Sequence, residues 1–113
     1  MIEKTVLDYL DRELTAKVYM ETPAKPPGTY VLLEKTGSGA GDGLLEATLA
    51  VQSIAPTLYG AASLNELVKS AMGQLRDKET NVFRCELNGD YNFTDTETKR
   101  YRYQAVFDLT YKE

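Results

Sequence analysis

The last stretch of the chain alternates with unusual regularity. Tyr101, Tyr103, Ala105, Phe107, Leu109 and Tyr111 fall on one side; Arg100, Arg102, Gln104, Asp108 and Thr110 fall on the other, with Val106 the one exception. A period of two over this length predicts a strand in a sheet with one face buried. At the opposite end, Ile2, Val6, Leu10 and Leu14 recur every four residues and Tyr9 widens the stripe. With Glu3, Lys4, Asp8, Asp11 and Arg12 on the other side, residues 2–14 read as an amphipathic helix. A second helix is predicted over 57–76, where Leu64, Leu67, Val68, Ala71, Met72 and Leu75 keep helical spacing. Pro56 precedes it, Thr57 is placed to cap it, and Gly60 and Gly73 each weaken it by about 1 kcal/mol relative to Ala.

Four more strands fit between and after these helices. Lys17–Met20 is short. Thr29–Lys35 places Tyr30 and Leu32 opposite Val31 and Leu33. Leu44–Ile54 sets Leu45, Ala47, Leu49 and Val51 against Glu46, Thr48 and Gln52, and Val82–Leu87 groups Phe83, Cys85 and Leu87. The segments between them are polar or rich in Pro and Gly. Three prolines exclude helix and central strand from Thr22–Gly28. Gly37–Gly43 is too long for a two-residue turn and reads as a mobile hairpin loop. Asn88-Gly89 signals a turn, followed by a long polar loop, 90–99. The order is therefore α-β-β-β-α-β-β, and short connections favour antiparallel pairing. The expected fold is α+β: one domain over residues 1–113, with an antiparallel sheet of four to five strands and two helices packed on one face.

Composition narrows the function. A length of 113 residues suits one domain, with 42% hydrophobic and 27% charged residues, as in ordinary globular chains. No apolar run reaches the roughly 18 residues of a membrane helix. The first residues lack the pattern of a secretion signal, so a cytoplasmic location without membrane partners is expected. A net charge of −4 argues against specific nucleic-acid binding, which wants a basic surface. There is no histidine and a single cysteine, Cys85. The commonest general base and zinc ligand are thus missing, and no internal disulfide is available.

Each motif that suggests chemistry also breaks its own rule. The glycine run fails the dinucleotide fingerprint, because the sixth position is Asp42 counted from Gly37 and Leu44 counted from Gly39. Asp90–Asp95 imitates the opening of a calcium loop, but Asp95 stands where Gly is required and Tyr101 where Glu is required. Arg100-Tyr101-Arg102-Tyr103 interleaves base and aromatic, yet on a strand the two kinds face opposite ways. The expectation is that the tyrosines join the core and the arginines pair with carboxylates on an adjacent strand or another subunit. Cys85 has no activating base and reads as a small buried hydrophobe. No catalytic, cofactor-binding or metal site is expected. Eight tyrosines suit both a tiled sheet and protein interfaces.

Two segments carry a family resemblance: Tyr91–Phe107, with its Asn-Phe-Thr-Asp-Thr-Glu-Thr-Lys-Arg-Tyr-Arg-Tyr core, and Leu58–Val68. Met1–Leu10 and Val18–Glu21 extend it over nearly the whole chain. These resemble small proteins from the head–tail gene clusters of tailed phages and prophages of Gram-positive bacteria. Length and element order are most similar to the tail terminator, also called the tail-completion or minor tail protein. The resemblance implies a structural protein without catalytic residues. Such proteins form a ring, usually a hexamer, on the head-proximal end of the tail tube. The implied partners are further copies of the chain, the major tail tube protein and the head–tail connector. DNA passes through the lumen unread. The implied location is the virion tail, and the host cytoplasm during assembly. A connector or stopper of the same cluster, and a small monomeric ligand-binding domain, are the alternatives. A ring protein engages its neighbours through projecting loops. The candidate interface residues are therefore Pro26 and Pro27, Gly39 and Gly41, Asp90, Tyr91, Asp95 and Glu97, with Arg100 and Arg102 beside them.

Overall fold

In a computed structural model, residues 1–98 and 100–113 are described. The elements are α1 (Ile2–Glu13), β1 (Lys17–Tyr19), β2 (Tyr30–Gly41), β3 (Leu44–Ala55), α2 (Leu58–Met72), α3 (Leu75–Lys78), β4 (Val82–Asn92) and β5 (Tyr101–Tyr111). The alternating C-terminal segment lies beside β3 along its whole length, from Leu45 opposite Tyr111 to Ala55 opposite Tyr101. This pair is the centre of a five-stranded sheet in the order β1-β2-β3-β5-β4. The fold is α+β, as the pattern predicts. The molecule measures 44 × 25 × 24 Å.

Ala47, Leu49 and Val51 of β3 and Ala105, Phe107, Leu109 and Tyr111 of β5 share one face of the sheet. All are buried against Ile2, Val6, Tyr9 and Leu10 of α1 and Leu64, Val68 and Met72 of α2. The Thr57 hydroxyl accepts a hydrogen bond from the Gly60 amide at 3.0 Å, so the predicted cap starts α2. The Tyr9 hydroxyl donates to the Ala71 carbonyl and ties α1 to the last turn of α2.

Several segments depart from the pattern. The glycine segment is strand rather than loop: β2 continues through it, with Gly37 opposite Thr48 and Gly41 opposite Leu44. Only Asp42 and Gly43 turn, with φ of 53° and 79°. Positive φ at both positions marks a two-residue primed hairpin, whose twist matches the strands it joins. A register shift between Lys35 and Gly37, with Thr36 the extra residue, admits the poor strand formers. Asn88-Gly89 is likewise a bulge and not a turn. β4 runs on to Asn92 because β5 offers a backbone ladder that far, and Asn88 is skipped in the pairing.

β1 pairs with β2 in parallel. The proline-bearing connection between them is long enough to return the chain to the end where β1 began, so this pair escapes the rule for short loops. The 57–76 helix is two helices. α2 ends at Gly73, and its buried stripe is Ala61, Leu64, Asn65, Val68 and Met72. Leu67 lies outside that stripe and is 56% exposed. Tyr101 and Tyr103 are only half-buried, because they lie at the end of the sheet beyond the densest packing.

These positions separate in a stability measurement. Leu49→Ala deletes a fully buried side chain and should cost about 2–5 kcal/mol. Leu67→Ala should stay within about 0.5 kcal/mol of the parent in the same urea titration.

Candidate functional site

The helices leave the other face of the sheet uncovered; Tyr30, Ala50 and Ile54 are buried on it, and its polar positions are knitted together by side chains. The Thr48 hydroxyl donates to Asp108 Oδ1 at 3.0 Å. Gln52 Nε2 donates to Gln104 Oε1 at 2.8 Å, and Arg102 Nη1 donates to Gln52 Oε1 at 2.9 Å. Gln104 Nε2 donates to the Tyr91 hydroxyl. A chain of hydrogen bonds thus crosses β3, β5 and β4. Cross-strand pairs of this kind contribute about 0.2–1 kcal/mol each, so the face is firm rather than strongly stabilising.

Of the predicted interface residues, Pro27 and Arg100 come together. Arg100 Nη1 donates to the Pro27 carbonyl at 3.3 Å, and the guanidinium lies 5.7 Å from the centroid of the Tyr30 ring. Tyr30 stands edge-on to Tyr19 at 6.0 Å. Pro26 belongs to the same connection. Within the chain Arg100 and Arg102 are both held by neutral partners, and not by carboxylates of an adjacent strand. On β5 Arg102 lies opposite Ile54, and the polar group within its reach is Gln52.

Asp90 and Tyr91 sit on β4 rather than in a loop. Asp90 lies 2.6 Å from Lys69 Nζ and accepts from Asn65 Nδ2 at 2.8 Å, which ties β4 to α2. The hydrogen bond from Lys69 holds the Asp90 carboxyl below its ordinary value, with Asn65 adding to it. The same bond raises Lys69. Asp95 accepts from the Glu97 amide at 3.0 Å and shares an antiparallel bridge with Arg100. Asp90 is thus engaged with α2, while Asp95 and Glu97 belong to the turn before Arg100. Among the described residues, no three His, Cys, Asp or Glu side chains form a group able to hold a metal ion. Burial pushes the Cys85 thiol up to about 11, away from nucleophilic reactivity.

Gly39 and Gly41 line one open edge of the sheet. β1 pairs only with Tyr30–Leu32, so among the described residues β2 from Leu33 to Gly41 has no strand partner on its outer side. β4 is the other open edge, and it carries exposed apolar side chains: Phe83 at 47%, Leu87 at 50% and Tyr91 at 43%, with Phe93 just beyond at 47%. Tyr91 and Phe93 pack edge-on at 6.0 Å. An unpaired strand with apolar side chains is a template for another chain. Periodicity grouped Phe83 and Leu87 on one strand face with Cys85. Strand order, which the pattern does not encode, puts them on the edge, and the bulge at Asn88 hid that β4 continues.

No family model and no curated protein matches the chain.

A depression of about 430 Å³ lies on the bare face, with Gly37, Gly39, Glu46, Thr48, Arg84 and Asp108 in its lining. A second, of about 310 Å³, lies between the end of α1 and α2, near Glu13, Leu14 and Leu67. The chemistry on offer is recognition: strand edges, aromatic side chains and fixed polar groups.

The Asp90 cluster predicts an acid-side pH dependence. A carboxyl lowered in the folded state adds stability that is present above its unfolded value and lost as pH falls through the folded one. Unfolding free energy should therefore drop below about pH 4. Asp90→Asn should flatten that decline, while a variant as steep as the parent would remove Asp90 from the cause.

Proposed function

We propose that this chain is a non-enzymatic assembly protein of a phage tail, a ring-forming tail terminator that caps the tail tube and joins it to the head connector. The observation that carries the proposal is the edge strand β4, with Phe83, Leu87 and Tyr91 exposed on a sheet that is open at both sides. A sheet built this way gains by meeting further copies of itself. The resemblance of Tyr91–Phe107 and Leu58–Val68 to tail-cluster proteins supports the same reading. It supplies the expected partners: the chain itself, the tail tube and the connector.

The competing ligand-binding domain needs a pocket between helices and sheet. That space is filled by Val6, Tyr9, Leu49, Val68, Met72 and Phe107. The two depressions described above lie elsewhere. The connector reading shares the tail cluster and differs in the surface that is met.

The test is mass in solution over a range of concentrations, with negative-stain images of the same samples and of mixtures with assembled tail tubes. Closed rings, six copies by the family's habit, or caps on tube ends are expected. A monomer that stays single at every concentration and leaves tubes unbound contradicts the proposal.

A further inference from the structure

The two open edges match each other. β2 is antiparallel to β3, β3 to β5 and β5 to β4, so β2 and β4 run in opposite directions. Copies related by rotation about an axis along the strands would bring β4 of one chain beside β2 of the next in antiparallel orientation. Antiparallel edges join with straight, paired hydrogen bonds.

The heights also agree. Across the sheet, Glu86 is level with Asp108, Thr48 and Gly37; Cys85 with Leu109, Ala47 and Ser38; Arg84 with Thr110, Glu46 and Gly39. A rotation without rise therefore sets Arg84–Glu86 of one copy against Gly37–Gly39 of the next. That run lies between the extra residues at Phe83 and Asn88, where β4 is regular.

The side chains are complementary in size and charge. Gly37 and Gly39 leave the bare face of their edge without side chains. Over Gly39 lies a carboxylate: Glu46 Oε2 is 3.7 Å from where a Cβ would stand. Arg84 is half exposed and, among the described residues, its one ion-pair partner is its neighbour Glu86, at 2.7 Å. Glycine at an edge is a place for a longer cross-strand side chain to lie flat. We infer that copies of this chain join head to tail, β4 to β2, with Arg84 of one copy lying across Gly39 to meet Glu46 of the next. The inference rests on the ring reading and names its interface. A heterologous contact of this kind closes a ring when the rotation closes.

Cysteine trapping tests it directly. In a Cys85→Ser background, Gly39→Cys and Arg84→Cys are made in separate proteins. Within one chain the two positions are three strand spacings apart, about 14 Å, too far for a disulfide. Both substitutions are tolerable, because a Cβ at Gly39 would meet only the Glu46 carboxylate, in ordinary contact at 3.7 Å, and Arg84 is exposed. Mixing the two proteins under mild oxidation should give disulfide dimers of unlike chains, and the double-cysteine protein should give a ladder ending at the closed ring. Glu46→Gln should raise the concentration for half-assembly by about tenfold, with no change in unfolding midpoint. Disulfide dimers of Arg84→Cys alone, reporting β4 against β4, overturn the inference. So do rings that form with no unlike-chain disulfide, and in that case the ring reading survives. A parent protein that neither associates nor binds tubes overturns both.

Discussion

The pairing of β3 with β5 is the constraint on which the rest depends. It joins residues about 50 positions apart, so the chain must close a long loop before the centre of its sheet exists, a cost that grows slowly with loop length. Once formed, the pair sets both faces at a stroke. Odd-numbered residues of both strands turn apolar side chains to the helices. Even-numbered residues turn Gln52, Thr48, Gln104 and Asp108 to the bare face, where they bond to one another. A slip of one residue would exchange the faces and expose Leu49 and Phe107. The polar ladder and the apolar core thus enforce one register between them.

The asymmetry of the sheet then follows. Two helices cover one face, and no strand among the described residues pairs with the outer side of β4. β1 is three residues long and pairs only with the start of β2. Natural edges are commonly defended by charge, proline or bulges. β4 has two bulges, but between and beyond them it keeps Leu87 and Tyr91 exposed. The glycine edge of β2 has the bulge at Thr36 and, beyond it, no side chains at Gly37, Gly39 and Gly41. Both edges make sense in a molecule finished by its neighbours.

Much of the fold was legible in residue order. β5, β3 and α1 announce themselves because alternation or helical spacing persists for a dozen residues, and Thr57 marks the start of α2 by its chemistry alone. The glycine hairpin was illegible because glycine carries no side-chain pattern. Its strand state is imposed by β3, and only the Asp42-Gly43 pair held a local signal. The bulges at Phe83 and Asn88 broke the alternation of β4 and so hid its length. The candidate site was legible in part. Gly39, Asp90, Tyr91 and Arg100 were picked out as loop residues, whereas Arg84, Glu46, Phe83 and Leu87 looked ordinary until strand order placed them at edges or level with one another. Strand order is a property of the whole chain and leaves no local trace.

Amide hydrogen exchange, followed from dilute to concentrated protein, tests the account most directly. The free edges should exchange fast in the dilute monomer. On assembly, protection should appear at Thr36–Gly41 and Arg84–Leu87 together, with α2 unchanged. Assembly that protects the helices and leaves both edges exchanging freely would contradict it.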